Sequence, residues 1–445
     1  MSSKMHTTSD NSEAALRDLL GQYPIRRSIF SNLDTGSILN LCRSSWGVRT
    51  DIYTYLWDIN RKLERFFQNP RAFRTELGRA NALISGSFAL QFFANKYWPE
   101  SDLDIYLRED ENVARLGKYL VEAEGYQLAS NQEIAAGEYA RIVGYGGRLA
   151  VISTIVTYTK PPVDEDDPSS IPTAENPKPP TNCKIQLVAT RHQPVQAILS
   201  GFYTSCIMNF ISWNKAYCVF PRATLLFGET VTLASQRDEY VELHKKYSRR
   251  GWRLRTVPIF LGDFQLAVAA YRDTHRSKAG NDYFGRSHPL GAEDPRDRRV
   301  GGKDTWTMKL GIAGVEPPPQ PDSVLEYSSF GISGFRSPEH QENGSEILIC
   351  ASPFNSHSLR YQYTYTGMAD SWRRLNDLLN QNTRGQAKTK LSEKEASSIL
   401  NVPNGVKLCD IGFDKPVGWD FWDDVSNPQS RFLPVLAACD VNNLL

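Results

Sequence analysis

The chain has 445 residues, of which 40% are hydrophobic and 23% are charged, and its formal net charge at neutral pH is +1. These values are typical of an ordinary globular protein of two or three domains. A net charge this close to zero excludes a general attraction to nucleic acid or membrane, so any polyanion site has to come from a local patch. Seven scattered cysteines without a C-x-x-C pair indicate reduced thiols and a cytoplasmic or nuclear protein.

The N-terminal part of the chain changes character at about residue 20. Residues 1–20 are polar, carry no apolar signal segment and predict a disordered tail. Residues 21–70 place apolar side chains at helical spacing, as at Ile25, Ile29 and Leu33. They predict a small helical segment ahead of the main domain.

The central part of the chain, residues 71–255, mixes strand-like and helix-like patterns. It predicts an α+β core in which a mixed sheet of about five strands carries helices on one side. A proline- and acid-rich stretch at 160–182 predicts a mobile insertion. The apolar run VQAILSGFYTSCIMNFISW contains Gln196 and Asn209, so we interpret it as a buried helix and expect no membrane span. Residues 256–445 predict a loop-rich C-terminal region.

The stretch ISGSFALQFFANKYWPESDLDIYL joins a Gly-Ser bend to two aspartates on the next strand. Side chains alternate along a strand, so Asp102 and Asp104 share one face while Leu103 and Ile105 point to the other. Two neighbouring carboxylates repel each other unless solvent or a cation neutralises them, and hard divalent cations prefer such oxygens. The bend exposes backbone N–H groups at the start of a helix, where phosphate oxygens bind.

This ordered set resembles the signature of the nucleotidyltransferase fold, the superfamily of polymerase-beta-like enzymes. In this chain Gly86 and Ser87 form the bend, and fourteen residues separate Ser87 from the Asp102-Leu-Asp104 strand. The resemblance implies that Asp102 and Asp104 chelate Mg²⁺ or Mn²⁺ on a nucleoside triphosphate. It implies that Gly86 and Ser87 hold the phosphate oxygens while an acceptor hydroxyl attacks the α-phosphorus. With FYTSCIMNFIS and KKYSRRGW, the resemblance extends to fungal proteins of this fold and covers roughly residues 73–255.

One expected catalytic position departs from the family pattern. The third carboxylate lies on a later strand, and in CKIQLVAT that place is taken by Gln186. At about 4 Å and an effective dielectric of about 20, a unit charge pair is worth about 4 kcal/mol before desolvation, so a neutral amide weakens a two-metal site. Glu138 is a candidate substitute. Two hypotheses stay open: an active nucleotidyltransferase, or a catalytically degenerate fold that serves as a binding or scaffold module.

Two polar features have both a functional and a structural interpretation. Asn209 either faces the nucleotide or satisfies backbone groups inside the core. The basic residues of KKYSRRGWR either bind the triphosphate or form a solvated helix end that the helix dipole favours.

The stretch YPIRRSIFSNLDTGSILNLCRSSW resembles an F-box through Pro24, Ile29, Leu33, Cys42 and Trp46. The resemblance implies binding to the adaptor subunit of a cullin ubiquitin ligase. The alternative is a helical cap that packs on the sheet.

Overall fold

The structure is a computed structural model, and it describes residues 6–133, 151–160, 183–233, 238–255, 297–335, 346–366, 370–403 and 406–424. The chain forms two compact units. The first unit comprises Met1–Ile198, Phe202–Thr256 and Asp304–Pro319, and the second comprises Leu199–Gly201, Val257–Lys303 and Gln320–Leu445. Residues 304–319 belong to the first unit although they follow a long segment of the second unit in the sequence. This was not predicted, because the end of the α+β core was placed at residue 255.

The α-helices that the structure describes before residue 256 are α1 His6–Gly21, α2 Tyr23–Ser31, α3 Thr35–Ser44, α4 Trp46–Leu56, α5 Ile59–Leu63, α6 Pro70–Arg79, α7 Gly86–Ala94, α8 Glu111–Glu122, α9 Pro194–Gly201 and α10 Asp238–Arg249. The described strands of the first unit are β1 Leu83–Ser85, β2 Leu103–Arg108, β3 Gln127–Glu133, β4 Ile152–Thr159, β5 Lys184–Thr190, β6 Asn209–Ile211, β7 Lys215–Cys218, β8 Glu229–Val231, β9 Arg253–Arg255 and β11 Trp306–Lys309.

The N-terminal part is helical, as predicted for residues 21–70. Local capping explains where its helices begin: the Asp34 carboxylate accepts a hydrogen bond from the Ser37 N–H, and the Ser45 hydroxyl accepts one from the Val48 N–H. Helix α1 occupies most of the stretch that we predicted to be a disordered tail, and its residue Leu20 is fully buried. The tail prediction missed α1 because the helix packs on the core through few apolar side chains, among them Leu16 and Leu20, in an otherwise polar sequence.

The first unit is built on an eight-stranded mixed sheet in the order β11-β7-β6-β1-β2-β5-β4-β3. Strands β2 and β5 are parallel, and every other neighbouring pair in this sheet is antiparallel. The predicted α+β class with a mixed sheet is therefore confirmed, although the sheet has more strands than the five expected. The extra strands include β6 and β11, which lie in segments predicted to be helix and loop.

The core lies on the face of the sheet opposite the two aspartates. Leu103, Ile105 and Leu107 of β2 are fully buried, and Ile185 and Leu187 of the adjacent strand β5 are buried beside them. This confirms the alternation predicted from the sequence. It also fixes the opposite face as the one that carries the polar side chains of β2.

The apolar run after Pro194 is not one long helix. Helix α9 ends at Gly201, a 3-10 turn follows at Ser205–Ile207, and the chain then enters strand β6 at Asn209. The helix prediction was wrong because β-sheet pairing of β6 with β1 and β7 replaces helical hydrogen bonds for these residues. Asn209 therefore lies at the start of a strand and not in the middle of a helix.

The second unit contains more regular structure than the loop-rich region predicted. Its described elements are β10 Asp297–Arg299, α11 Asp322–Glu326, β12 Ser329–Phe335, β13 Glu346–Cys350, β14 Ser352–Phe354, β15 Tyr363–Tyr365, α12 Asp370–Lys390 and α13 Glu393–Leu400. Strands β10, β12 and β13 form one antiparallel sheet, and β14 pairs with β15. Helix α13 begins with a capping box formed by Ser392 and Glu395.

Two sequence predictions fall outside the described residues: Glu138 and nearly all of the insertion at 160–182. Within the described ranges, no helix is long and apolar enough to cross a membrane.

Candidate functional site

The Gly86 bend lies directly against the carboxylate of Asp104. In the β1–β2 pair, Ser85 is the register partner of Asp104, so the residue that follows Ser85 turns over the Asp104 side chain. Gly86 has a φ of +68°, and a Cβ added at this position would come within 3.0 Å of Asp104 Oδ2. Both the backbone conformation and the space therefore require glycine. The sequence predicted this proximity, and the structure shows it.

Burial and charge act on the two carboxylates differently. The Asp102 side chain, just before β2, is 32% exposed, whereas Asp104 is half-buried inside the strand. Burial, with the neighbouring negative charge of Asp102, raises the pKa of Asp104 to about 6, and the positive charges of Lys246 and Lys184 oppose the shift. Asp104 accepts no hydrogen bond from the described protein groups, so its oxygens are available to a ligand.

Gln186 stands beside Asp104 on the neighbouring strand. The parallel register of β2 and β5 pairs Asp104 with Gln186, so both side chains lie on the same face of the sheet. The next strand places Thr157 in the same row. In the described part of the chain, no group of three His, Cys, Asp or Glu side chains is arranged to hold a metal ion. The position predicted for a third acid thus lies at the site, but it carries a neutral amide, and its neighbour on β4, Thr157, is uncharged as well.

Lys184 forms an ion pair with Asp102 that the sequence analysis did not identify. Its Nζ lies 2.6 Å from Asp102 Oδ2. Leu103 pairs with Ile185 in the parallel register. The residues that precede these two in the sequence, Asp102 and Lys184, therefore also lie next to each other. The sequence CKIQLVAT could have predicted that Lys184 lies at the site. Lys184 is two residues before Gln186 and therefore lies on the same face of the strand.

A second lysine, Lys246 on helix α10, lies close enough to the acidic pair to act on it electrostatically. The charges of Asp104, Asp102 and Glu100 act to raise the pKa of Lys246, but burial and the nearby Arg250 outweigh them and lower it. Lys245, the preceding residue, forms an exposed ion pair with Glu242. Of the basic cluster seen in the sequence, Lys246 thus lies near the candidate site, while Lys245 belongs to a solvated helix face.

The loop that leads into Asp102 is held by two arginines. The Arg65 guanidinium donates hydrogen bonds to the backbone carbonyls of Trp98, at 2.9 Å, and Ser101, at 2.8 Å. The Arg250 guanidinium lies 4.0 Å from the centre of the Trp98 ring and donates a 2.5 Å hydrogen bond to Glu100. These contacts fix the approach of the chain to the acidic strand, and they give KKYSRRGW a positioning role.

Asn209 and Ser87 are closer to the core than a direct ligand-binding role requires. The Ser85 hydroxyl donates a 2.6 Å hydrogen bond to the Asn209 carbonyl, so Asn209 lies next to the bend. Its side chain is 1% exposed, and its Nδ2 donates a 2.7 Å hydrogen bond to the Cys206 carbonyl. Ser87 is 8% exposed. The structural interpretation of Asn209 is therefore favoured, and Ser87 is buried at the start of α7.

The donor set fits a single hard cation better than a pair. Mg²⁺ is commonly bound by one or two carboxylates together with substrate phosphates, and it prefers oxygen ligands. Asp102, Asp104 and the amide oxygen of Gln186 provide such oxygens on one face. No protein-family model matches this sequence, and no curated protein matches it either.

Proposed function

We propose that this protein has a nucleotidyltransferase-like core and binds a nucleoside triphosphate together with Mg²⁺ at the start of strand β2. The observation that carries the proposal is the contact between the Gly86 bend and the carboxylate of Asp104. It brings a helix start, where phosphate oxygens can bind, next to a carboxylate that can hold a cation, within one strand-bend-helix-strand unit. Neither part would be specific alone, because glycine bends and exposed aspartates are common.

Each residue has a distinct role in this proposal. Asp102 and Asp104 hold the cation, and the backbone N–H groups at the start of α7 bind phosphate oxygens. Lys246 adds a positive charge on the side of α10, which favours the anionic ligand. When bound, the cation neutralises phosphate charge and orients the triphosphate for in-line attack. Arg65 and Arg250 keep the Asp102 loop in place.

Nucleotide binding is better supported than nucleotide transfer. Transfer to a hydroxyl acceptor benefits from a base that takes the proton, and the position predicted for that acid carries the amide of Gln186. Metal-assisted transfer by two cations also needs more negative charge than two carboxylates supply when Lys184 neutralises one of them. The second candidate function is therefore a catalytically degenerate binding or scaffold module of the same fold.

The F-box-like helices give little support to a ligase adaptor as a partner. Cys42 is buried, and Ile29 and Leu33 pack against the main core of the first unit. These side chains belong to the set that carries the resemblance, so the protein itself already covers much of that apolar face. Pro24 and Trp46 are the exceptions, since both are exposed and Trp46 is 78% exposed. The interpretation as a helical cap is the one we retain.

The binding proposal is tested with a fluorescent ATP analogue titrated in the presence and absence of Mg²⁺. We expect saturable binding that requires Mg²⁺, and a loss of at least tenfold in affinity for Asp102→Asn and for Asp104→Asn, because each removes a cation ligand. Glu109→Gln, at an exposed carboxylate just after β2, is the matched control and should bind like the native protein. Unchanged binding in both aspartate variants contradicts the proposal.

Transfer is tested separately with α-labelled nucleoside triphosphates. Release of pyrophosphate together with a labelled acceptor supports an active enzyme, whereas Mg²⁺-dependent binding without release supports the degenerate module.

A further inference from the structure

The ion pair between Lys184 and Asp102 occupies a position that a bound cation would need. Lys184 Nζ lies at 2.6 Å from Asp102 Oδ2, which is hydrogen-bonding distance. The pair is only partly shielded, since the Lys184 side chain is 38% exposed and the Asp102 side chain 32%. Partly exposed ion pairs contribute little net stability, so the Lys184 ammonium is readily displaced from Asp102.

The site as a whole is balanced in charge. Asp102 and Asp104 supply two negative charges, and Lys184 and Lys246 supply two positive charges that both act on Asp104. Gln186, beside Asp104, adds no charge. A divalent cation that entered the protein without phosphate would add two positive charges to a locally neutral site and would face the ammonium of Lys184.

We propose that Lys184 is a built-in counterion of Asp102 that a divalent cation has to displace. The inference rests on the proposed function, and it concerns how that site selects its ligand. The cation alone binds weakly, because it competes with Lys184 for the same carboxylate. A cation that arrives with a triphosphate binds better, because the phosphates supply negative charge that compensates both the cation and the released ammonium. Lys184 thereby makes the site selective for the cation–nucleotide complex over the free cation.

The first test measures the binding of Mn²⁺ alone, without nucleotide, by electron paramagnetic resonance of the free ion. We expect Lys184→Gln to bind Mn²⁺ about tenfold more tightly than the native protein, since a repulsive charge beside the cation is removed. Lys184→Arg keeps the charge and should retain weak binding. Lys118→Gln removes a lysine that pairs with Glu122 on the exposed face of α8, and it controls for the change in net charge.

The second test compares nucleotide binding at saturating Mn²⁺ with binding in its absence. In the native protein we expect the cation to strengthen nucleotide binding by a larger factor than in Lys184→Gln. Equal Mn²⁺ affinity of Lys184→Gln and native protein, or no Mn²⁺ binding by Lys184→Gln, overturns the inference. A native protein that binds no nucleotide refutes the proposed function, whereas tighter Mn²⁺ binding by Lys184→Gln supports the role of Lys184 in either case.

Discussion

Strands β2 and β5 lie side by side and run parallel, yet they bring opposite chemistry to the same face of the sheet. Asp104 of β2 and Asp102, which directly precedes β2, lie on this face. The matching residues of β5 are Gln186 and Lys184. The buried faces of the two strands are alike, since Ile105 and Leu187 pair there and both are fully buried. The scaffold is thus the same on both strands, and the difference is confined to the side chains that would meet a ligand.

At the proposed site, the two strands thus present side chains in register on one face while the charge of those side chains differs. On β2, Asp104 lies against a bend that admits only glycine, and the loop before Asp102 is held by Arg65 and Arg250. On β5 a lysine and an amide lower the negative charge that a pair of metal ions would require. The following predictions alter the bend that contacts β2, then β5, and then β2 itself.

The largest expected effect comes from Gly86→Ala, which breaks the contact between the bend and β2. The added Cβ would overlap Asp104 and the backbone would remain in the left-handed region, so we expect the free energy of unfolding to fall by about 2–4 kcal/mol. Urea unfolding measures this. Gly125→Ala is the control, since Gly125 has a similar φ of +72° but no atom within 4 Å of the added Cβ, and only about 1 kcal/mol should be lost.

The double variant Gly86→Ala with Asp104→Ala separates overlap from backbone strain. Removing the carboxylate makes room for the new methyl group, so part of the lost stability should return. If the double variant is as unstable as the sum of the two single variants, the overlap with Asp104 is not the cause.

The second prediction makes β5 resemble β2 through Gln186→Asp. A third carboxylate in register with Asp104 should tighten the binding of Mn²⁺ about tenfold, because the site gains a charge and a hard oxygen ligand. Titration with Mn²⁺ under the conditions used for the native protein measures the change. Gln186→Asn keeps the neutral amide and should leave the affinity low. Equal affinities of the Asp and Asn variants would show that position 186 does not face the cation.

The smallest expected effect is a pH dependence of stability that originates on β2. The pKa of Asp104 is about 6 in the folded chain, above the ordinary value of 3.8, because burial and Asp102 disfavour its ionised form. The folded state therefore binds more protons than the unfolded state between about pH 4 and pH 6, and stability falls as the pH rises through this window. Solvent reaches this half-buried group, so we expect an effect of about 1 kcal/mol.

Urea unfolding at pH 4 and at pH 7.5, without metal, compares the native protein with Asp104→Asn. The variant cannot ionise at this position and should lose less stability between the two pH values than the native protein does. Glu109→Gln removes an exposed acid and should follow the native protein. Parallel pH profiles for Asp104→Asn and the native protein would contradict the assignment.

The sequence predicted the parts of the site that depend on neighbours along the chain. Gly86, Asp102 and Asp104 belong to one strand-bend-helix-strand unit, so their proximity follows from local geometry. Lys184 escaped notice because about eighty residues separate it from Asp102, and only strand pairing brings them together. Asn209 was misplaced because the apolar run has no periodicity that distinguishes one long buried helix from a shorter helix followed by a buried strand.

What the sequence by itself determined is the α+β class, the alternation that buries Leu103 and Ile105, and the glycine bend beside an acidic strand. These features follow from side-chain periodicity and local backbone sterics, which act over a few residues. Only the tertiary structure decided that Lys184 neutralises Asp102, that Lys246 approaches from α10, and that strand β11 joins the sheet from beyond residue 300. Such contacts depend on which distant segments pair, and that choice is made by the packing of the whole core.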